Sequence, residues 1–474
     1  MINPVLPILF LLVVSSASLA QKSAERQFAL RVSVDTLRNH VQTLVKMGNR
    51  WGGTPSGNRS ARWVAATMKR YGLTAEVEQD PQRLVYTHER WTLRVVNPSR
   101  LRRLIRNDWL AGFSPSLVPT TALLADLDVD NMDLTGKAVV TDRLVTEDLY
   151  EELAKKGAIA ILSFAPGDST IYPDWAMITP LPASQSNAIP LYNISYRNGS
   201  VLRNELSRGT SIRIALSSRT VIKEGAPKTV VGRIRGTGAG RYIVCAHGDS
   251  DAGGPGADDN ASGVAGVLEV ARVLSTMVQT RAIRKPVHTI EFVVWGSEYY
   301  SSEHFVRRQG EELRTIRGVL NYDQIGTGAT RNCIYFEAND VPHNKNLLSI
   351  LNSIGEQYAG RKGFWQEATT NPSQGGTDSY VFLPEHLSRL DAPLVLIPSV
   401  TIYTAAWNTL RRIPQTEGWS SKAWKGPQDT VVIDFSRYYH SSRDVPELTT
   451  EREPFNMVWA VKAVGISLLR LAWE

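Results

Sequence analysis

The sequence predicts an α/β protein with a mostly parallel mixed sheet flanked by helices on both faces, and with a smaller α/β insert domain. Apolar strand-like runs alternate with helical patterns from Thr229 to the end of the chain. Residues 91–225 differ in character, because short apolar runs surround one helix and no catalytic-type residues cluster there. A chain of 474 residues is also too long for one ordinary hydrophobic core.

Two helices flanking a turn are predicted before the first strand. Apolar residues recur at helical spacing from Leu37 to Val45, and the Gly-rich stretch 48–57 interrupts the pattern. The second helix is expected to begin near Arg59 and to end at Gly72, and residues 73–77 are expected to form a strand.

The middle segment and the C-terminal half supply the remaining elements. In the middle segment we expect strands over 138–140 and 158–162 and helices over 149–156 and 199–208. The run 188–192 contains Pro190, so it is expected to be an edge strand at best. Beyond residue 229 we expect strands over 242–246, 288–295, 319–322 and 394–396 and helices over 263–274, 346–359 and 454–472.

Composition indicates a globular protein without a nucleic-acid partner. Hydrophobic residues make up 42% and charged residues 21% of the chain, and the net charge is +7. The densest basic cluster, 99–106, is interpreted as a solvated surface because no DNA- or RNA-binding motif accompanies it. Cys245 and Cys333 lie in apolar contexts and are predicted to be buried free thiols.

Residues 1–20 are predicted to be a secretory signal peptide. The run 5–14 is apolar apart from Pro7, and small residues precede Gln21 at the cleavage position. This run is too short to span a bilayer. We therefore expect a secreted or periplasmic protein with no integral membrane segment after signal removal.

The segment 245–263 is the most informative stretch for chemistry. His247 ends an apolar run, and Asp249 and Asp259 follow on Gly-rich backbone. Glu298 and Asp323 come after two further strand-like runs, and His440 lies late in the chain. Ligands of an open α/β sheet bind beyond the carboxyl ends of its strands, so these groups are expected to converge. Two histidines and two aspartates suit zinc, and a free carboxylate suits a general base.

Each of these residues also has a structural interpretation when it is taken alone. A histidine at a strand end is usually a structural residue, Asp259 could cap a helix, and Asp323 could cap a turn. Glu298 could be a solvent-exposed loop residue, and Tyr439 could pack in the core. Their common placement at strand ends or loops of one domain favours a site.

The order of these motifs resembles peptidase family M28, a family of zinc exopeptidases. The motifs are His-Gly-Asp, Gly-Ala-Asp-Asp-Asn-Ala-Ser-Gly, Trp-Gly-Ser-Glu, Asn-Tyr-Asp, Gly-Gly-Thr-Asp-Ser and Tyr-His-Ser-x-x-Asp. The middle segment resembles a protease-associated domain through 134–140 and 155–160. The implied division is a signal peptide over 1–20, peptidase domain over 21–90 and 226–474, and the insert over 91–225.

The resemblance implies a role for each matched position. His247, Asp259 and Asp323 would hold one zinc ion, and Asp259 would bridge to a second ion held also by His440. The other matched positions are Asp249, which would orient His247; Glu298, the general base; Tyr439, which would stabilise the oxyanion; and Asp378, which would shape the substrate pocket.

One position departs from the family pattern. The family has Glu-Glu where this chain has Glu298-Tyr299, and the second Glu is a ligand of the second ion. Glu303 could replace that ligand, Tyr299 could coordinate, or the second site could be weak or empty in a one-metal enzyme or an inactive relative. A shifted alignment would instead make Glu298 the ligand and remove the base.

The resemblance implies an exported zinc-dependent exopeptidase that acts on peptides, with an aminopeptidase as the first choice. The alternatives are a catalytically impaired binding protein and a glutaminyl-cyclase-like transferase on the same scaffold. Side-chain preference, the choice between amino-, carboxy- and dipeptidase, and the oligomeric state stay open at the level of sequence.

Overall fold

The computed structural model describes most of the chain. The described residues are 20–128, 133–165, 174–250, 254–327, 333–338, 342–371, 377–404, 411–414, 430–433, 438–452 and 455–474. All but the last residue of the predicted signal peptide lies outside the described residues.

Helices and strands alternate along the described residues. The helices are α1 (20–31), α2 (Val34–Val45), α3 (Pro55–Arg70), α4 (Glu147–Lys155), α5 (Tyr196–Ser207), α6 (Gly263–Gln279), α7 (Tyr300–Gln309), α8 (Lys345–Tyr358), α9 (Pro384–Arg389) and α10 (Phe455–Leu471). The strands are β1 (Thr74–Gln79), β2 (Arg83–Asn97), β3 (Trp109–Leu110), β4 (Leu117–Asp126), β5 (Ala138–Thr141), β6 (Ala160–Ser163), β7 (Leu191–Asn193), β8 (Arg213–Gly225), β9 (Lys228–Ile234), β10 (Arg241–His247), β11 (Thr289–Trp295), β12 (Ile316–Tyr322), β13 (Cys333–Glu337), β14 (Glu367–Asn371), β15 (Ser399–Tyr403), β16 (Arg411–Pro414) and β17 (Thr430–Ile433).

An eight-stranded mixed sheet forms the main body, in the order β1-β9-β11-β10-β12-β15-β13-β14. Strands β11, β10, β12 and β15 run parallel at its centre. Alternate residues of β10 enter different cores: Val244 packs with α2, α3, α6, α8 and α10, whereas Ile243 packs with α7 and α9 on the other face. The predicted fold class, a mostly parallel mixed sheet between two helical layers, is confirmed.

Helix α6 is the central element of the larger core. Among the described residues, 257–279 form the one helical stretch whose length and hydropathy would suffice to cross a membrane, and 83% of its most apolar window is buried inside the protein. Its apolar side chains therefore pack against the sheet and the helices α2, α3 and α10.

A second, seven-stranded sheet takes its strands from residues 83–225, in the order β2-β8-β4-β5-β6-β7-β3. Its first strand pairs with β8 from Arg83 onward. The division of the chain into domains stays a prediction. Strand β7 lies between β6 and β3, so the expectation of an edge strand is wrong. Pro190 precedes the strand, and its carbonyl accepts the N–H of Ile161 at 3.0 Å, so the ring costs the ladder no hydrogen bond.

The start of α3, the strand expected over 394–396 and the state of the two cysteines can also be compared with the structure. Helix α3 begins four residues earlier than expected, because Pro55 occupies its first turn and the Thr54 hydroxyl accepts the N–H of Gly57 at 3.2 Å. The strand expected over 394–396 is wrong: Leu394 and Leu396 are exposed, and the buried strand is β15. Both cysteines are free and buried, as predicted.

Candidate metal centre and active site

Three side chains converge where the central strands end. His247 is the last residue of β10, Asp323 follows β12, and Asp259 lies on the turn that leads into α6. Because β10 and β12 are parallel neighbours, their ends place His247 Nε2 and Asp323 Oδ1 3.6 Å apart. His247 Nε2 also lies 3.3 Å from Asp259 Oδ1. All three residues are buried, and one donor atom of each falls within 4.8 Å of the others.

The unpaired donor atoms of this cluster fit a metal ion. His247 Nε2 and Asp323 Oδ1 are buried and have no hydrogen-bond partner among the described residues. Leaving a buried polar atom unpaired costs about 1–3 kcal/mol, and more for a charged group. One imidazole nitrogen and two carboxylate oxygens form a donor set that zinc accepts. A bound cation would satisfy both atoms at once.

A second imidazole reaches the same cluster from the late loop. His440 Nε2 lies 3.1 Å from Asp259 Oδ2, so Asp259 stands between two imidazoles. The ring of His440 stacks on that of Tyr439 with centroids 3.6 Å apart. The structure thus brings together His247, Asp259, Asp323 and His440, the four residues inferred as ligands from the sequence.

Electrostatics in the cluster favour positive charge. Burial by itself would lower the pKa of His247, but Glu298, Asp249 and the facing carboxylates raise that pKa well above its ordinary value. Burial would raise the pKa of Asp259, but its close approach to the imidazoles of His247 and His440 lowers it. A divalent cation at this cluster would compensate the charge of its carboxylates.

Asp249 links the His247 imidazole to the turn that carries Glu298. Its Oδ1 lies 3.2 Å from His247 Nδ1 and accepts the N–H of Glu298 at 3.0 Å. Its Oδ2 accepts the hydroxyl of Ser297 at 2.9 Å. A carboxylate on the second ring nitrogen holds the His247 ring so that Nε2 faces Asp259 and Asp323.

The turn after β11 is held by a second buried carboxylate. Asp378 Oδ1 accepts the N–H of Tyr299 at 2.9 Å and the hydroxyl of Ser302 at 2.6 Å. Tyr299 has a φ of 51°, an uncommon backbone conformation for a bulky residue. Burial raises the pKa of Asp378 to about 7. Asp378 therefore braces the backbone beside Glu298, a role that its sequence motif did not predict.

The two side chains considered as substitutes for the missing ligand have separate environments. Burial and the charges of Glu298 and Asp378 raise the pKa of Tyr299, so its phenol is neutral at physiological pH. Glu303 Oε1 lies 3.2 Å from Nε2 of His386 on α9, which gives this carboxylate another partner.

Sequence reasoning missed two residues that support the cluster. Asp444 accepts the N–H groups of Asp258 and Asp259 at 2.8 and 3.0 Å, and burial raises its pKa well above the ordinary value. The Arg50 guanidinium is fully buried and donates to three carbonyls of the loop that joins His247 to Asp259: Gly248 (3.3 Å), Pro255 (2.9 Å) and Gly256 (2.7 Å). In the sequence, Arg50 could have been noticed because it lies in the Gly-rich turn 48–57. Asp444 could have been noticed because it is the acid of the motif Tyr-His-Ser-x-x-Asp.

Comparison with known proteins agrees with this site. Residues 229–463 match the model of peptidase family M28. A probable lipoprotein aminopeptidase, LpqL, from Mycobacterium tuberculosis is 26% identical over 330 residues, which are 64% of this chain and 62% of the relative. An aminopeptidase from Pseudomonas aeruginosa is 25% identical over 311 residues, which are 61% of this chain and 56% of the relative. The chain thus spans about three fifths of the length of these relatives.

Solved structures share the fold over nearly the whole chain. A peptidase M28 precursor from Shewanella amazonensis superposes with a TM-score of 0.65 at 17% identity, covering 96% of both chains. A zinc aminopeptidase from Bacillus subtilis gives 0.61 at 19% identity, covering 94% of this chain and 96% of its own.

Fold and cluster together define the class as α/β proteins with the metal-ligand geometry of a metallopeptidase. More specifically, the chain belongs to peptidase family M28, through residues 229–463.

Proposed function

We propose that this protein is a zinc-dependent exopeptidase, an aminopeptidase that acts on peptides after export to the periplasm or the medium. One observation carries the proposal: two buried donor atoms, His247 Nε2 and Asp323 Oδ1, face Asp259 without a hydrogen-bond partner among the described residues. Family membership supports peptide hydrolysis, and the similarity to the two bacterial aminopeptidases described above supports an aminopeptidase. The predicted signal peptide supports export.

The residues that would hold zinc are His247, Asp259 and Asp323, with His440 on the other oxygen of Asp259. Zinc, when bound, would polarise the scissile carbonyl and lower the pKa of the attacking water. Asp249 would keep the His247 ring in place through Nδ1, so that Nε2 stays directed at the ion.

Glu298 would move the proton. Its N–H is fixed by Asp249, and the next residue is fixed by Asp378, so the turn presents the Glu298 carboxylate from a rigid backbone. The Glu298 charge raises the pKa of His247, which supports a place for this carboxylate beside the cluster. In the proposed reaction Glu298 accepts a proton from water and returns it to the leaving amine. The Tyr439 phenol, stacked on His440, would stabilise the oxyanion from the late loop.

The test combines metal analysis with a peptide panel. Purified protein should contain one or two zinc ions per chain and should release N-terminal residues from peptides with a free amine but not from N-acetylated ones. Glu298→Gln should lower the rate by about 10²–10⁴-fold and keep the zinc, because it removes only the proton acceptor. Wild-type protein with neither zinc nor hydrolysis would contradict the proposal. Ammonia release from an N-terminal glutamine peptide without chain cleavage would identify the cyclising transferase instead.

The insert is proposed to be a protease-associated domain on the resemblance of its strand motifs. The number of zinc ions is the second quantity that the metal analysis decides, since Tyr299 occupies the position of the expected second-ion ligand.

A further inference from the structure

Among the described residues, the part of the chain that contains the second sheet reaches the late loop of the candidate site through a short segment. Residues 174–178, which we call the bracing segment, lie between β6 and β7 of that sheet. They contact residues 438–441, the late loop that carries Tyr439 and His440. The sequence showed no cluster of catalytic-type residues in the insert that contains this segment.

The contact is made through both backbone and side chains. The N–H of Ile178 donates to the carbonyl of His440 at 2.7 Å. Met177 forms an antiparallel bridge with Ser441. The buried Trp175 ring packs on Tyr438 with centroids 5.0 Å apart. Hydrogen bonds and ring packing thus act on Tyr438, His440 and Ser441, at and on both sides of one imidazole.

His440 needs such support because of its backbone. Its φ is 46°, in the left-handed region, where residues other than glycine are uncommon. Such a conformation persists only when the surrounding structure determines it. The same backbone determines where the imidazole points, and its Nε2 lies 3.1 Å from Asp259 Oδ2. The bracing segment therefore holds the residue whose conformation places the second imidazole at the cluster.

The geometry points to a catalytic contribution from the second sheet: the bracing segment positions His440 and Tyr439 for the reaction, with Trp175 and Ile178 as positioning residues. This inference rests on the proposed function, since it assigns His440 and Tyr439 to the same site. It extends that function, because residues outside the matched range 229–463 become part of the active-site apparatus. A displacement of about 1 Å in such a group can cost about 100-fold in rate.

The test compares three variants of the full chain. Trp175→Ala removes the ring that packs on Tyr438, Trp175→Phe keeps an aromatic ring there, and Trp109→Ala removes an indole from β3 of the same sheet as a matched control. We expect Trp175→Ala to lower kcat by about tenfold or more with KM changed less than about twofold, because the chemistry and not substrate binding loses its geometry. Trp175→Phe should restore most of kcat, and Trp109→Ala should leave it unchanged.

Hydrogen exchange supplies a readout that does not depend on activity. In Trp175→Ala the amides of 177–179 and 438–441 should exchange faster, while those of β10 and α6 keep wild-type protection. A folded Trp175→Ala protein with wild-type kcat and wild-type exchange in both segments would overturn the inference. A wild-type protein that hydrolyses no peptide refutes the proposed function and, with it, the catalytic contribution of the bracing segment; faster exchange in Trp175→Ala would then still show the mechanical contact.

A second variant covers the case in which Trp175→Ala does not fold. Ile178→Pro removes the N–H that donates to His440, and Ile178→Val keeps it with nearly the same side chain. The inference is supported if kcat falls in Ile178→Pro but not in Ile178→Val. It is contradicted if both variants fold and have the same kcat.

Discussion

Both sheets contain a run of parallel strands that are buried almost throughout, yet the residues that end these strands behave differently. In the second sheet, β5, β6 and β7 end in Thr141, Ser163 and Asn193. Each has a partner nearby: the Thr141 hydroxyl accepts the N–H of Arg143 at 3.0 Å, the Ser163 hydroxyl accepts that of Ala165 at 3.2 Å, and the Asn193 carbonyl oxygen accepts the hydroxyl of Thr179 at 2.8 Å.

The corresponding ends of the main sheet are not satisfied internally. His247 ends β10 and Asp323 follows β12, and each keeps a buried atom without a hydrogen-bond partner among the described residues. Similar strand architecture therefore supports polar strand ends with internal partners in one region and a candidate ion-binding cluster in the other. The comparison teaches that buried, unpaired atoms of metal-ligating side chains at neighbouring strand ends, rather than the sheet, point to the candidate site.

The largest expected effect comes from removing a ligand candidate beside the main sheet and a strand-end group of the second sheet. Asp259→Ala should weaken zinc binding by more than about 100-fold, beyond the 10- to 100-fold typical of residues that only orient ligands. Asn193→Ala should keep zinc and lower only stability, by about 1–3 kcal/mol, because it leaves the Thr179 hydroxyl unpaired. Zinc titration and urea unfolding measure the two effects. Equal zinc affinity in Asp259→Ala and the wild type would break the comparison.

Acid should destabilise both regions through one histidine in each, buried in the first and half-buried in the second. Removal from water lowers the pKa of His40, on α2, and of His88, on β2, to about 4. The unfolded chain binds these protons near pH 6.5, so the stability from each neutral imidazole is present above pH 6.5 and is lost as pH falls toward 4. The full shift amounts to about 3 kcal/mol per histidine.

Urea unfolding at pH 7.5 and 4.5 measures this linkage. The free energy of unfolding should differ between the two pH values, and His40→Gln should remove most of the part of that difference that His40 contributes. His88→Gln should remove the corresponding part for the second sheet. If the regions unfold as separate units, each variant changes only the transition of its own region. An unchanged pH dependence in both variants would contradict the burial argument.

A smaller effect is expected from the residue that orients His247. Asp249→Asn keeps the volume but removes the charge that holds Nδ1, so zinc affinity should fall by about 10- to 100-fold. Asp126→Asn, on β4 of the second sheet and paired with Arg203 at 3.1 Å, is the matched control and should leave zinc affinity unchanged. Equal loss of zinc in both variants would indicate a general effect of lost charge rather than orientation of the imidazole.

The smallest effect is expected at Glu303. Because this carboxylate pairs with His386 in a partly exposed position, Glu303→Gln should cost less than about 1 kcal/mol of stability and leave zinc content and kcat unchanged. Metal analysis of the variant checks this. Loss of one zinc ion would show that Glu303 replaces the ligand missing at Tyr299.

Local pattern was sufficient for most elements of the fold. Continuous apolar runs predicted β10, β11 and β12, and helical spacing predicted α2 and α8, since side-chain periodicity follows from backbone geometry. The strand predicted over 394–396 failed because hydrophobicity does not reveal which residues a neighbouring strand will pair; Ser399 pairs with Val319 of β12. The prediction of an edge strand from Pro190 failed for a similar reason. A proline removes a hydrogen bond from a sheet only if it lies within the paired strand, and β7 begins one residue after Pro190.

The sequence by itself determined the chemistry that this protein has available: imidazoles and carboxylates at the ends of strands, in an order that resembles peptidase family M28. Tertiary structure decided which of them meet, and which atoms are left without partners. It also decided that buried Arg50, Asp444 and Asp378 would brace the cluster and that Trp175 and Ile178 would reach it from the second sheet. These contacts join residues far apart in the chain, so they depend on packing, and no local periodicity encodes them.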